Sequence, residues 1–233
     1  MDKRKSYFLT IDTETTNGFD DPIVYDIGGC IHTKDGEVME TFSFVIYEVF
    51  CGMKDLMQSA YYADKIPNYW EQIKNHSREI VNFYIIRKTL HDVCKKYNIK
   101  AIMAHNARFD YNALSTTQRY LTKSKYRWFF PYDTKFVCIW NMACNSVCQR
   151  GEYRTFAETN RHFSNHGKNY RATAETVYAF LTNNANFTEE HKGLDDVKIE
   201  CEIFIKCFEE MGGVMGIKRN CWQKVKRGAI ALR

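Results

Sequence analysis

The feature that most constrains the fold is a pair of extended apolar segments separated by a turn sequence. Residues 23–32 and 37–47 are rich in Val, Ile, Phe and Tyr, and Lys-Asp-Gly at 34–36 lies between them. An Asp-Gly pair between two such segments is typical of a β-hairpin, since glycine tolerates the backbone of a tight turn. We therefore predict an antiparallel hairpin, preceded by a strand at 6–12 that ends in an acidic residue.

The rest of the chain alternates between helical and extended patterns. A helical region is predicted at 53–97 and a buried strand at 99–104. Further helices are predicted at 107–121, 135–148, 153–162 and 173–181, with a short extended piece at 130–133. The last helix is marked by one apolar stripe of Leu194, Val197, Cys201, Phe204, Ile205 and Phe208. A hairpin followed by alternating helices and strands predicts an α/β fold, a mixed sheet covered by helices.

Composition and charge limit the class of protein. Apolar residues make up 45% and charged residues 26% of the chain, which excludes collagen, a coiled-coil rod and wholesale disorder. The longest uncharged run, residues 136–149, is too short to span a bilayer, and Asp12 follows the basic N-terminus too soon for a signal peptide. We therefore expect a soluble cytoplasmic protein with no membrane contact, whose nine cysteines are reduced core thiols. The net charge of +5 fits an anionic partner without establishing one.

Two acidic residues close the first predicted strand. Asp12 and Glu14 are two apart, so in a strand their side chains project from the same face and can meet at one point. Neighbouring carboxylates repel each other unless a cation lies between them, and Mg²⁺ or Mn²⁺ prefers oxygen ligands. A strand edge with solvated charges would carry the same pattern, so this pair alone does not identify a metal site.

Two further acidic motifs stand at the starts of predicted helices. Asn106-x-x-x-Asp110 follows the strand at 99–104, and Asp110 falls in the first helical turn, where the helix dipole favours a negative group. His191-x₄-Asp196 enters the last helix, with Asp196 to one side of the apolar stripe and His191 free to reach the same place. Each motif has an ordinary alternative, namely an acid that starts a helix or a histidine on the surface.

In this order, the motifs resemble those of the DEDDh (DnaQ-like) 3′–5′ exonuclease family, which includes polymerase proofreading subunits, ribonuclease T and oligoribonuclease. The matching segments are Asp12-Thr-Glu-Thr-Thr, His105-Asn-Ala-Arg-Phe-Asp110, the Asp133-Thr134 that commonly follows, and His191 through Asp196. Asn17 stands where a glycine often occurs, and Gly193 replaces the usual alanine. The resemblance runs from residue 12 to 196 and implies a ribonuclease H-like fold, with the first strands antiparallel, the later strands parallel and helices flanking the sheet.

The resemblance also implies a site. Four carboxylates would hold two Mg²⁺ or Mn²⁺ ions about 3.5–4 Å apart astride the scissile phosphate, and these are Asp12, Glu14, Asp110 and Asp196. His191 would take the proton from the attacking water, since an imidazole pKa near 6.5 suits a general base at neutral pH. The residues expected to contact the terminal nucleotide are Thr15, Thr16, Phe19 and Asn106.

The expected activity is the release of nucleoside 5′-monophosphates from the 3′ end of single-stranded or frayed DNA. An exoribonuclease or oligoribonuclease with the same chemistry stays open, because contacts to the 2′-hydroxyl come from loops that no motif reports. The alternative of another class is a ribonuclease H-like module that binds nucleic acid without cutting it. A DNA polymerase partner and a homodimer also stay open.

Two basic segments have a composition that could bind nucleic acid. Residues 111–132 contain no acid and interleave Arg119, Lys123, Lys125 and Arg127 with Tyr120, Tyr126, Trp128 and Phe129. Cations for phosphates and aromatic rings for bases are what single-strand binding needs, although a helix leading into a core strand would look the same. Residues 218–233 carry six basic residues and no acid, so we predict an exonuclease domain over 1–217 and a basic tail over 218–233. Such a tail would add nucleic-acid affinity, dock a polymerase or stay solvated.

A competing motif has the spacing of a zinc finger. Its members are Cys144, Cys148, His162 and His166. Both cysteines fall in a helical pattern, and Thr159 stands where a finger would need leucine. A structural zinc therefore stays open as the lesser alternative.

Overall fold

A mixed β-sheet forms the centre of the computed structural model, which describes residues 5–16, 21–60, 62–123, 125 and 128–228. Within these residues the sheet has six strands in the order β4-β3-β2-β1-β5-β6. The strands are β1 (Tyr7–Thr15), β2 (Val24–Thr33), β3 (Val38–Ile46), β4 (Glu79–Val81), β5 (Ala101–Ala104) and β6 (Lys135–Cys138). β1, β2 and β3 pair antiparallel, whereas β4, β5 and β6 pair parallel to their neighbours. The predicted mixed sheet and its hairpin are thereby confirmed.

Helices cover both faces of this sheet. They are α1 (Tyr47–Phe50), α2 (Lys54–Gln58), α3 (Ile66–Lys74), α4 (Phe83–Lys96), α5 (Ala107–Thr122), α6 (Ile139–Asn145), α7 (Gly151–Thr159), α8 (Ala174–Leu181) and α9 (Gly193–Met211). Short 3₁₀ helices occur at Ala63–Lys65, Val147–Gln149 and Cys221–Val225. In the described ranges, none of the helices combines the length and apolar character needed to cross a membrane.

The core is divided by the sheet. On β1, Leu9 and Ile11 pack in a cluster with residues of α4 and α5, whereas Phe8 contacts Phe204 of α9 on the opposite face. The second cluster joins α6, α7, α8 and α9. Every residue of β2 is buried, as expected for a strand that is covered on both sides.

The structure corrects the prediction at two short strands. The predicted helical region 53–97 contains β4 at the sheet edge, and the predicted helix 135–148 begins with β6 before α6 starts. Such short apolar runs have too few residues to show a period of two, so they resemble the start of a helix. The extended piece predicted at 130–133 is a turn, with Asp133 in the left-handed backbone region. The helices predicted at 107–121, 153–162 and 173–181, and the last helix, are confirmed.

The segment after α9 folds back onto the domain. The Cys138 N–H donates to the Met215 carbonyl at 3.0 Å, and Cys221 and Val225 are buried in the second core cluster. The division into a domain over 1–217 and a tail over 218–233 stays a prediction, and the described part of that tail lies against the fold.

Candidate active site

The hairpin strands position the first two carboxylates. In the β1–β2 register, Asp12 lies opposite Gly28 and Glu14 lies opposite Asp26. Because they are two apart on β1, the side chains of Asp12 and Glu14 reach the same cavity, as the sequence predicts. Thr13, between them, donates its hydroxyl hydrogen to Asp110 Oδ1 at 2.8 Å, which ties β1 to the first turn of α5.

The last helix brings Asp196 to these carboxylates. The Lys192 N–H donates to Asp196 Oδ2 at 2.9 Å, so the side chain caps the first turn of α9. The second oxygen, Asp196 Oδ1, is buried and has no hydrogen-bond partner among the described residues. A buried carboxylate oxygen without a donor is costly unless a cation occupies the place.

Two glycines, Gly28 on β2 and Gly193 at the start of α9, allow the helix to lie in close contact with the sheet. A Cβ atom on residue 28 would lie 2.2 Å from the Gly193 carbonyl carbon, and one on residue 193 would lie 2.5 Å from the Gly28 nitrogen. The Gly193 N–H also donates to Asp26 Oδ2 at 3.1 Å. Glycine at 193 therefore has a packing reason in this chain, because even one methyl group would displace the helix start.

His191 lies beside two of the acids. The ligand atoms of Glu14, His191 and Asp196 all lie within 4.8 Å of one another. The His191 ring stacks on Tyr62, with the ring centroids 4.4 Å apart, and its Nδ1 is 4.0 Å from Glu189 Oε2. Burial, with the Lys65 ammonium nearby, lowers the pKa of His191 and favours the neutral imidazole.

The five predicted catalytic side chains converge on one cavity of about 840 Å³. Asp12, Glu14, Asp110, His191 and Asp196 all line it, and the exposed Asn106 stands at its edge.

Two further predicted substrate contacts, Thr15 and Thr16, stand next to the acids on the chain. Thr15 and Thr16 are not among the residues that line this cavity. The Ile23 N–H donates to Thr16 Oγ1 at 3.3 Å, so this hydroxyl closes the chain between β1 and β2. Phe19 lies outside the described residues.

Sequence reasoning missed four residues at the site. Glu200 and Glu189 also line the cavity, Tyr62 stacks on His191, and Lys65 stands close to the carboxylates. Glu200 Oε2 accepts the His105 N–H at 3.0 Å, which joins α9 to the end of β5. The spacing of four between Asp196 and Glu200 could have revealed Glu200, since residues four apart share a helix face. Nothing in the sequence marks Tyr62 or Lys65.

Burial raises the pKa of Asp12, Glu14, Asp110, Asp196 and Glu200, and neighbouring carboxylates add to the rise at Asp12, Glu14 and Glu200. The pKa of Glu14 rises to about 8, through burial and then the charges of Asp26 and Asp196. Burial raises the pKa of Asp110 to about 7 and that of Asp196 to about 6. Burial, then the neighbouring carboxylates, holds the pKa values of Asp12 and Glu200 well above their usual range. The group therefore binds protons or cations readily.

The group of Glu14, His191 and Asp196 could hold a divalent cation of the magnesium type. Oxygen donors dominate, one imidazole stands beside them, and Asp196 Oδ1 lacks any other partner among the described residues. Mg²⁺ and Mn²⁺ take such ligands, whereas zinc favours thiolates and imidazoles.

The zinc-finger motif does not assemble. Among the described residues, its four members form no group of metal ligands. Cys144 and Cys148 are fully buried in the second core cluster, His162 stacks on Phe156, and His166 lines the acidic cavity. All nine cysteines are free thiols.

The basic segment at 111–132 lies apart from the site. Arg119, Tyr120, Lys123 and Lys125 line a separate cavity of about 710 Å³, which shares no residue with the acidic cavity. Phe129 is a core residue. Tyr126 and Arg127 lie outside the described residues.

Comparison with known proteins identifies a fold. No family model matches the chain, and no curated protein matches it. Among solved structures, it is similar to E. coli exonuclease I in complex with a 5cy-dA13 oligonucleotide, with a TM-score of 0.51 and 12% identity over 89% of this chain and 41% of that one. A second structure of E. coli exonuclease I, with a dA16 oligonucleotide, gives a TM-score of 0.48 and 14% identity over 89% and 42%.

The chain spans less than half the length of the exonuclease I chains it matches. At this identity the likeness shows the fold, and it agrees with the ribonuclease H-like sheet that the motifs imply.

Proposed function

We propose that this protein is a metal-dependent 3′–5′ exonuclease that releases nucleoside 5′-monophosphates from single-stranded or frayed DNA. The observation that carries this proposal is the convergence of five side chains, spread from residue 12 to 196, on one cavity. The exonuclease I structure with the same fold holds a DNA oligonucleotide, which supports single-stranded DNA as the substrate.

The carboxylates would hold the cations. Asp12, Glu14, Asp110 and Asp196 supply oxygen ligands, and Asp196 Oδ1 has no competing donor among the described residues. When bound, two Mg²⁺ or Mn²⁺ ions supply an activated water and offset the charge on the phosphate and the departing 3′ oxygen. Glu200 holds the His105 backbone and thereby fixes the turn that leads to Asp110.

His191 acts as the general base. Its lowered pKa keeps the imidazole neutral at physiological pH, so a ring nitrogen can accept the proton of the attacking water. The stacked Tyr62 ring fixes the plane of the imidazole, and Glu189 Oε2 lies 4.0 Å from its Nδ1. Asn106, at the edge of the cavity, is placed to donate a hydrogen bond to the terminal nucleotide.

An exoribonuclease with the same residues is the alternative, and the sugar preference separates the two. The non-catalytic binding module is disfavoured by the unpartnered Asp196 oxygen, since a module that only binds would have no use for a buried carboxylate without a donor. A polymerase partner, a homodimer and a cytoplasmic location stay predictions.

The test uses DNA and RNA oligonucleotides labelled at either end, with Mg²⁺ or with chelator. We expect the 5′-labelled DNA to shorten as a ladder and the 3′-labelled DNA to release a labelled mononucleotide at once, with chelator blocking both. The chelator-treated reaction recovers when Mg²⁺ is restored. Hydrolysis that starts at the 5′ end, or that chelator leaves intact, would refute the proposal.

A further inference from the structure

Two smaller cavities lie beside the acidic cavity. Asn106, Trp140 and Trp222 line both the acidic cavity and an adjoining one of about 300 Å³. Lys218 and Arg219 line this second cavity and also a third of about 410 Å³. The shared residues place the three cavities next to one another, and we call the outer two the C-terminal groove.

The charge reverses along this path. The inner cavity holds the carboxylates, whereas the described residues that line the C-terminal groove include no Asp or Glu. Its cations are Arg108, Lys218, Arg219, Lys224 and Lys226. In the part of the chain that the structure describes, neither Lys218 nor Arg219 forms an ion pair, so both charges are available to an anion. Such a row of cations suits a chain of phosphates.

Aromatic rings stand at the junction between the acids and the cations. Trp222 is 41% exposed and Phe109 40% exposed, and Trp140 is half-buried beside them. Within the described ranges, none of the three rings contacts another aromatic ring. Exposed indole faces stack well on unpaired bases, which in a single strand are accessible.

The outer wall is held in place before any ligand arrives. The Asn141 side-chain amide donates to the Gly216 carbonyl at 3.0 Å, and the Tyr170 N–H donates to the Val225 carbonyl at 2.9 Å. The Arg227 N–H donates to the Lys168 carbonyl at 3.0 Å. Because Cys221 and Val225 are buried, the backbone that carries Trp222 is held in place, so binding need not order this segment.

We propose that the C-terminal groove binds the single-stranded polynucleotide on the 5′ side of the nucleotide in the acidic cavity. Trp222 stacks on a base near the cavity, and Lys218 and Arg219 bind phosphates further out. The direction of the strand rests on the proposed 3′–5′ activity, whereas binding in the groove does not require cleavage.

The test is the affinity of oligonucleotides of about 4 and about 16 nucleotides, measured by fluorescence anisotropy in chelator with dT and rU strands. The variant Lys218→Glu/Arg219→Glu is compared with Arg119→Glu/Lys123→Glu, which makes the same change of charge in the separate basic cavity. We expect the first variant to weaken binding of the long strand by about 10-fold or more, and to flatten the slope of log affinity against log salt by about 1.4. We expect the short strand to lose less.

Trp222→Ala tests the stacking. Removing an aromatic ring on which a base stacks lowers affinity by about 5- to 150-fold, and we expect a loss in this range for Trp222→Ala.

The proposal is overturned if Arg119→Glu/Lys123→Glu weakens binding of the long strand as much as the groove variant does. It is also overturned if the groove variant keeps the wild-type affinity and salt slope. Similar losses with dT and rU assign the groove to phosphates and bases of either nucleic acid.

Hydrolysis measured with Mg²⁺ separates this inference from the proposed function. If long strands bind in the groove but are not hydrolysed, the exonuclease proposal fails and the groove stands. If long strands are hydrolysed with the same KM by wild type and by Lys218→Glu/Arg219→Glu, the groove fails and the exonuclease stands.

Discussion

Two buried carboxylates, Glu14 on β1 and Asp26 on β2, are paired in the sheet but differ in their hydrogen-bond partners. Asp26 is fully buried, yet Arg78 donates to its Oδ1, and the Tyr69 hydroxyl donates to its Oδ2 at 2.7 Å. Glu14, its neighbour in the register, accepts no hydrogen bond from the side chains of the described residues. Only the more distant Lys65 ammonium lowers its pKa, and burial and carboxylates outweigh it.

This difference in partners distinguishes a carboxylate that stabilises the fold from one that is a candidate metal ligand. A buried charge is tolerated when a cation and donors surround it, and removal of that cation is strongly destabilising. Asp26 has its cation in Arg78 and is part of the scaffold. Glu14 forms no ion pair of this kind with the described residues, and the proposed function assigns the balancing charge to cations from solution.

The largest effect is expected from Asp196→Asn. This change removes one negative charge and keeps the shape of the side chain, so the Lys192 cap is retained in part. Since bound metals supply several kcal/mol of transition-state stabilisation, kcat/KM for 3′-end hydrolysis should fall by at least about 10³-fold. Thermal unfolding of the variant serves as the control for folding. Near-normal turnover in a folded Asp196→Asn protein would place the active centre elsewhere.

His191→Ala should reduce kcat by about 10²- to 10⁴-fold, the usual range for a general base. The lowered pKa keeps the wild-type imidazole neutral above about pH 6.5. At saturating Mg²⁺, when the carboxylates are bound to metal, the decline of wild-type activity that is due to His191 should therefore lie below that pH. His76→Ala, at an exposed histidine outside the cavity, is the matched control. A variant rate that declines on acidification as the wild-type rate does would remove His191 from this role.

Arg78→Met tests whether the partner of Asp26 stabilises the fold. It leaves Asp26 buried without its cation, which should cost about 3–5 kcal/mol of unfolding free energy in a urea titration. The double variant Arg78→Met/Asp26→Asn should recover part of that loss, since it removes the stranded charge. A loss of only about 1 kcal/mol in the single variant would show that the pair behaves like an exposed salt bridge.

The smallest expected effect is the pH dependence of stability without metal. The folded-state pKa values of Glu14 and Asp110, about 8 and about 7, lie above the values near 4 that they have when unfolded. Their stabilising contribution is therefore present in full below about pH 4 and is lost as the pH rises towards about 8. In chelator, Tm should fall by about 2–4 °C or more between about pH 6 and pH 8, the shift that about 1 kcal/mol produces.

Glu200→Gln identifies the source of that pH dependence. Glutamine can still accept the His105 N–H but carries no charge, so the fall in Tm should become smaller. Lys206→Gln, an exposed change on the same helix, should leave the fall as it is in wild type. An equal fall in wild type and Glu200→Gln would show that the carboxylate cluster is not responsible.

The sequence predicts the placement of those site residues that lie within a strand or a helix. The period of two in β1 predicts that Asp12 and Glu14 share a face, and the apolar stripe of α9 predicts on which side Asp196 lies. The conclusion that these residues form one site comes from the resemblance, since no spacing reports a distance between residues 12 and 196.

Other parts could not be predicted, because they depend on tertiary contacts between distant segments. Tyr62 and Lys65 reach the site from a connection between helices, which has no periodic pattern. The Thr16 hydroxyl accepts a hydrogen bond from the Ile23 backbone, a contact that sequence spacing does not report, and its contact with substrate stays a prediction. Likewise, the basic residues after 217 predict an anionic ligand, but only the buried Cys221 shows that this segment is folded against the domain.

The most direct test of the central claim is a calorimetric titration of Mn²⁺ into the chelator-treated protein, repeated in buffers of different ionisation enthalpy. Because the pKa values of Glu14 and Asp110 are raised, binding should be saturable and should release protons near pH 7. Asp196→Asn should weaken this binding strongly. Absence of saturable binding, or equal binding and proton release in wild type and Asp196→Asn, would contradict the assignment of these carboxylates as metal ligands.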